Sequence, residues 1–133
     1  MLTSSFLVLT NNPLVAESLS ERFAIEFFDG ASDRDVLLNV RDLVHLGHRV
    51  LTAPLSGSVK PWETPYRSVM VTAHRDEGID VFSLDIIERA LAVIEKSKDR
   101  PRTYTPSILY DFQVIDLSLI ESVLPSLEAT GRP

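Results

Sequence analysis

The first 52 residues alternate between short apolar runs and amphipathic helical patterns, and this alternation constrains the fold more than any other feature. The runs at residues 6–9, 23–28 and 49–52 each predict a strand. Residues 13–22 and 33–46 carry apolar side chains at helical spacing. Such an order is typical of a parallel sheet with right-handed crossovers. We therefore expect a three-layer α/β fold, with a mostly parallel Rossmann-like sheet of about four to five strands and flanking helices.

The ends of the two predicted helices carry recognisable signals. Asn12 suits an N-cap, and Pro13 suits the first helical position, where its missing N–H costs nothing. Ser32 and Asp35 have the spacing of a capping box, with aspartate in place of the usual glutamate. Gly47 is a natural left-handed stop for the second helix.

A fourth strand is predicted at residues 68–72, after a long connection at residues 52–66. A connection of that length is barely sufficient for a parallel crossover, so an antiparallel edge strand is the alternative. Ser83 is then expected to cap a helix that extends to about residue 97.

The whole chain, residues 1–133, is expected to form a single α/β domain. Residues 99–106 contain two prolines and predict a linker to a C-terminal arm and helix. Residues 108–115 predict a short strand or an extended arm. Asp116 is expected to cap the last helix, and Pro125 to kink or end it.

The composition excludes several classes of protein. The chain has no cysteine, which excludes disulfides, thiolate zinc sites, iron–sulfur clusters and thiol nucleophiles. A net charge of −6 disfavours a general nucleic-acid binder. No apolar run approaches the length of a membrane span or a signal peptide, so we expect a cytoplasmic protein without membrane contact. No cofactor is predicted.

The connection at residues 52–66 is the strongest candidate for a functional segment, because long connections without helix or strand patterns are usually functional or disordered. Three prolines restrict its backbone, and several large apolar residues can anchor it. The polar residues that this loop presents are Ser56, Ser58, Lys60, Glu63 and Thr64.

Two interpretations of the loop remain open. Ser56, Gly57 and Ser58, followed by Lys60, can cradle an anion, since glycine allows close approach while the hydroxyls and the ammonium bind. The alternative is a turn held by serine-to-backbone hydrogen bonds, with an exposed lysine. Lys60 and Glu63 can likewise be an acid–base pair or a surface ion pair. Neither a P-loop nor a dinucleotide fingerprint occurs in the chain.

Asn11 and Asn12 provide a second candidate segment. In an open parallel sheet, ligands bind beyond the carboxyl ends of the strands, where this pair and the loop would meet over one crevice. Asn12 is explained by capping, whereas Asn11 is free for a ligand. The candidate ligand-binding residues are Asn11, Asn12, Ser56, Gly57, Ser58, Lys60, Glu63 and Thr64. No catalytic residue can be assigned.

Asp42, His45 and His48 show a spacing that metal ligands also use. However, Gly47 ends the helix between the two histidines, and no third strong ligand is evident. We therefore predict no metal site.

Three stretches of the chain resemble the GrdX family: T-N-N-P-L-V from Thr10, R-D-L-V-H-x-G-H from Arg41, and P-L-S-G-S-V-K-P-x-E-T-P-Y from Pro54. The late run D-F-Q-V-I-D-L-S-L-I from Asp111 is also similar. Ala53 and Trp62 depart from the family's pattern, in which histidine and asparagine are usual. A histidine-dependent role for the loop is therefore disfavoured.

The resemblance implies a link to the glycine reductase operons of amino-acid-fermenting anaerobes. That selenium-dependent system converts glycine, sarcosine or betaine to acetyl phosphate. Three hypotheses follow: a non-catalytic accessory or small-anion-binding protein, an enzyme acting on an amino-acid or phosphate intermediate through the loop, and a docking partner of a reductase component. A homodimer formed through residues 104–120 is a further hypothesis.

Overall fold

A small mixed sheet with helices on both faces forms the core of the protein. The computed structural model describes residues 3–55, 64–96 and 103–130. Three strands and four helices occur in these ranges: β1 (Thr3–Thr10), α1 (Pro13–Leu19), β2 (Phe23–Phe27), α2 (Asp33–His45), β3 (Ser68–Thr72), α3 (Val81–Lys96) and α4 (Pro106–Thr130).

β1 is the central strand, and the strand order is β2-β1-β3. β1 and β2 are parallel, and α1 connects them. β1 and β3 are antiparallel, so Thr10 at the end of β1 lies opposite Ser68 at the start of β3. The carboxyl end of β1 and the amino end of β3 therefore share one edge of the sheet.

The prediction of a mostly parallel, Rossmann-like sheet of four to five strands is wrong. The described residues form three strands, and β3 runs antiparallel to β1. The segment 49–52 makes only one isolated bridge, from Val50 to Val71, on the far side of β3. It is thus separated from β1 by β3.

Side-chain hydroxyl groups explain why the segment 49–52 does not form a regular strand. Thr72 Oγ1 accepts a hydrogen bond from Arg49 N at 2.9 Å, and Thr52 Oγ1 accepts one from Met70 N at 3.0 Å. Ser83 Oγ accepts a third from Val50 N at 2.8 Å. The first two hydroxyls use backbone donors that a regular ladder with β3 would pair with carbonyl groups, whereas the N–H of Val50 points away from β3.

Each face of the sheet has its own hydrophobic cluster. Side chains alternate between the faces along a strand. Accordingly, Val8 and Met70 belong to the cluster beneath α1 and α4, while Leu9 and Val71 belong to the cluster beneath α2 and α3. All five residues of β3 are buried. The helices therefore cover the sheet from both sides, and β3 contributes to both clusters.

The predicted caps at the starts of α1 and α2 are confirmed, but α1 ends at Leu19 and not at residue 22, and Ser83 lies inside α3, which begins at Val81, instead of capping it. Asn12 caps α1 in front of Pro13, and Ser32 and Asp35 form a reciprocal capping box at the start of α2. Gly47 follows α2 with a φ of +107°, a conformation that side-chain-bearing residues rarely adopt. Its N–H donates to Val44 O at 3.0 Å and satisfies one of the last helical carbonyls.

The C-terminal part differs from its prediction. Residues 108–115 are helical rather than extended, since α4 begins at Pro106. Asp116 therefore lies inside a helix instead of capping one, and the helix continues past Pro125. Packing accounts for the difference, because α4 buries Ile120 and other apolar residues against α1 and the sheet. No described helix combines the length and apolarity needed to cross a membrane.

Candidate functional site

Three of the eight predicted ligand-binding residues fall in the described ranges. Asn11, Asn12 and Thr64 are all buried near the edge of the sheet shared by β1 and β3. The others lie outside the described residues: Ser56, Gly57, Ser58, Lys60 and Glu63. The anion-cradle interpretation of the loop therefore stays a prediction.

Asn11 joins three segments of the chain through its side chain. Its Nδ2 donates to Ala31 O and to Pro65 O, each at 2.8 Å, and its Oδ1 accepts from Arg67 N at 2.9 Å. Both amide hydrogens are thus occupied by backbone carbonyls. The side chain fixes the backbone that leads into β3, and it positions Arg67.

Asn12 has a second role besides capping. Its Oδ1 accepts from Leu14 N at 3.0 Å, which is the N-cap bond. Its Nδ2 donates to Gln113 O and to Asp116 Oδ2, each at 3.0 Å. The residue thereby connects the start of α1 to the middle of α4.

A chain of hydroxyl groups extends from the same place towards Asp116. Asn12 N donates to Thr10 Oγ1 at 2.9 Å, and Thr10 Oγ1 lies 2.7 Å from Ser68 Oγ. Ser68 Oγ donates to Asp116 Oδ2 at 2.6 Å. Because Ser68 uses its single proton on Asp116, the hydroxyl of Thr10 must donate to Ser68. Asp116 Oδ2 thus receives two hydrogen bonds in a fixed orientation.

Arg67 is the most unusual buried residue of this region. Its side chain is 5% exposed, yet its Nε and Nη2 have no hydrogen-bond partner within the described ranges. The closest acid is Asp33, with Oδ2 3.7 Å from Nη2, which is an ion pair but not a hydrogen bond. Buried polar groups are nearly always hydrogen-bonded, so unpaired N–H groups on a buried cation indicate a missing partner.

A cavity of about 250 Å³ lies beside Arg67. Arg67, Ser68 and Asp116 line its polar side. Residues 52–55 form one wall, and the face of α4 that includes Leu119, Ile120 and Val123 forms another. The cavity thus combines one cation, one carboxyl group and an apolar wall at a single sheet edge.

Burial determines the electrostatics of the site. It raises the pKa of Asp116, against the opposing effects of the hydrogen bonds from Ser68 and Asn12 and the charge of Arg67. Burial also raises the pKa of Asp33, with Arg67 acting in the opposite direction. The pKa of Arg67 is lowered by burial, and the two acids offset part of that effect. These carboxyl groups and the guanidinium therefore stabilise one another's charged forms in a poorly solvated region.

A protein-family model described as GrdX-like protein matches residues 7–125. The chain belongs to the GrdX-like family. The match covers every strand and helix described above, apart from the first residues of β1 and the end of α4. Searches among curated proteins and among solved structures give no significant match.

In this GrdX-like protein, sequence reasoning missed the residues that line the cavity. Arg67 follows the long loop and directly precedes a fully buried strand. An arginine at such a position indicates a buried charge, which is rare without a function or a partner. Asp116 stands within a largely apolar run of α4, where an ionisable residue is equally conspicuous. Neither residue is among the predicted ligand-binding residues, because the long loop, Asn11 and Asn12 already suggested a site.

Proposed function

We propose that this GrdX-like protein is a cytoplasmic, non-catalytic accessory protein of glycine reductase metabolism that binds a small anionic metabolite. One observation carries the proposal: Arg67 is buried at a cavity with Nε and Nη2 unpaired among the described residues. A carboxylate or phosphate supplies two acceptor oxygens in the geometry that a guanidinium fork matches. The pathway assignment is supported by the family's association with glycine reductase operons.

Binding, rather than catalysis, is favoured by how the neighbouring groups are used. Asn11 and Asn12 spend their side chains on backbone and carboxylate partners. The two hydroxyls of Thr10 and Ser68 form a continuous chain that ends on Asp116. Because the hydrogen bonds of these asparagine and hydroxyl side chains fix their positions, they suit a site that holds a ligand without rearranging.

Calorimetric titration tests the proposal directly. Acetate, glycine, inorganic phosphate and acetyl phosphate are titrated separately into the full chain at constant ionic strength. We expect at least one of them to bind and to raise the melting temperature, because a ligand that binds only the folded state stabilises it. Arg67→Lys should weaken that binding at least ten-fold, since lysine keeps the charge but loses the planar fork.

The matched control is Arg89→Lys, because Arg89 is exposed and pairs only with Asp85 on the same helix among the described residues. Its binding should equal that of the wild type. If none of the four compounds binds, or if Arg67→Lys binds as tightly as the wild type, the proposed function is wrong. Sequencing the genes that flank this one would test the pathway assignment separately.

A further inference from the structure

We infer that the ligand of this cavity is a small aliphatic α-amino acid, whose carboxylate binds Arg67 and whose ammonium group binds Asp116. This inference rests on the proposed function and narrows its ligand class. The cation and the carboxyl group line one cavity, which is the arrangement that a zwitterion requires. A simple anion would bind Arg67 but would offer no hydrogen-bond donor to Asp116.

The hydrogen bonds of Asp116 leave room for an ammonium group. The two bonds that it receives, from Asn12 Nδ2 at 3.0 Å and from Ser68 Oγ at 2.6 Å, both end on Oδ2. These bonds hold the carboxyl group at the cavity wall. Its other oxygen, Oδ1, receives no hydrogen bond from any described residue. An ammonium group has three donors and can supply the bond that Oδ1 lacks.

The charge of the site points to the same ligand class. One cation, Arg67, lies between two acids, Asp33 and Asp116, which both interact with it. When both acids are ionised, the three groups carry a net charge of −1. A purely anionic ligand would increase that negative charge in a poorly solvated place, at a cost in electrostatic free energy. A zwitterion binds without changing it.

Size and polarity restrict the amino acid further. The volume of about 250 Å³ is below the range of cavities that hold drug-sized ligands, so a small metabolite fits best. Leu119, Ile120 and Val123 offer apolar surface on the side formed by α4. An aliphatic side chain would bury against this surface, whereas a charged side chain would find no described partner there.

Alanine and propionate provide the decisive comparison, because they differ only in the amino group. Each is titrated calorimetrically into the wild-type full chain at neutral pH and constant ionic strength. We expect alanine to bind at least ten-fold more tightly than propionate. Asp116→Asn should abolish this preference, because alanine loses the partner of its ammonium group while propionate binds at least as tightly as to the wild type once one negative charge is removed. The matched control, Glu121→Gln on the exposed side of α4, should retain it.

The outcomes separate this inference from the proposed function. If both compounds bind equally, and both depend on Arg67, the amino-acid inference is overturned while the anion-binding proposal stands. If neither alanine, propionate nor any anion binds, both are overturned. An alanine preference that persists in a folded Asp116→Asn variant would also overturn the inference. The wild-type comparison needs no substitution, so it remains decisive even where a variant fails to fold.

Discussion

The amide nitrogen Nδ2 of Asn12 lies 3.0 Å from Oδ2 of Asp116, so the cap of α1 and the middle of α4 are joined by a hydrogen bond across 104 positions of sequence. The same asparagine caps its own helix through Oδ1. One side chain thus serves local helix formation and long-range packing together. The polar surround of the cavity depends on this contact.

Replacing Asn12 by alanine should destabilise the protein through two separable losses. The cap contributes about 1 kcal/mol. The two bonds of Nδ2 form the second contribution, about 1 kcal/mol for the bond to Gln113 O and about 1.5–3 kcal/mol for the bond to the carboxylate of Asp116. Asn12→Ser keeps an oxygen for the Leu14 N–H and should lose only the second contribution. Urea unfolding measures both. Equal losses of unfolding free energy in the alanine and serine variants would show that the two contributions are not separable. Ser20→Ala, at an exposed position, is the control.

Asn11 is expected to support the site through the backbone. Asn11→Ala removes three hydrogen bonds, each worth about 1 kcal/mol, and should lower the free energy of unfolding by roughly 3 kcal/mol. Asn11→Asp should be worse, because it turns an acceptor towards the carbonyls of Ala31 and Pro65. Thermal unfolding tests this order. A fully stable Asn11→Ala variant that has lost anion binding would instead identify Asn11 as a ligand contact.

The pKa of Asp116 predicts how stability depends on pH. A carboxyl group whose pKa is higher in the folded than in the unfolded protein binds its proton more tightly in the folded state. Its contribution to stability is therefore complete below the unfolded value, near 3.8, and is lost as the pH rises through the folded pKa. Asp116→Asn removes this loss. Its free energy of unfolding, relative to the wild type, should increase from acidic towards neutral pH.

Urea unfolding of both proteins at a series of pH values checks this expectation. Glu121→Gln is the comparison, since this exposed residue should give a curve parallel to that of the wild type. If the free energies of unfolding of Asp116→Asn and the wild type differ by the same amount at all pH values, the raised pKa of Asp116 is contradicted. The measurements are made without added ligand, because bound amino acid would itself favour the ionised form.

The glycines provide a test of backbone geometry. Gly47 has a φ of +107°, and a Cβ there would overlap the carbonyl group of Asp76. Gly30 has a φ of +72° but open space around it. Gly30→Ala should therefore cost about 1–2 kcal/mol for the left-handed conformation alone, and Gly47→Ala should cost clearly more. Gly78→Ala, which meets no atom within 4 Å, is the control. Equal losses at Gly47 and Gly30 would argue against the close approach to Asp76.

The start of α1 and both ends of α2 could be predicted from the sequence, because they depend on neighbouring residues. The capping box of Ser32 and Asp35 and the stop at Gly47 each follow from side-chain and backbone chemistry within one turn. The sheet order could not be predicted in the same way. The segment 49–52 and β3 have similar apolar patterns, and only tertiary packing determines which of them lies beside β1.

The candidate site required contacts that no local pattern reveals. Asp116 was interpreted as a cap because it follows a run rich in β-branched and aromatic residues, which favours an extended structure in isolation. That run is helical and largely exposed, and α4 is held instead by Ile120, Leu124 and Leu127, which pack against α1 and the sheet after Asp116 and so bring Asp116 to Ser68. The environment of Arg67 likewise exists only after α2, β3 and α4 have met.

The position of β3 has a consequence for how the chain folds during synthesis. β1 and β2 can pair early, but the other edge of β1 waits for a strand that begins nearly sixty residues later. The chain must therefore leave the ribosome beyond Thr72 before that edge of β1 can be covered. It must leave beyond α4 before the hydrophobic cluster beneath α1 and α4 is complete. Until then, β1 exposes unpaired backbone groups that invite pairing with another chain. Nascent chains of this protein should accordingly depend on rapid elongation or on a chaperone across that interval.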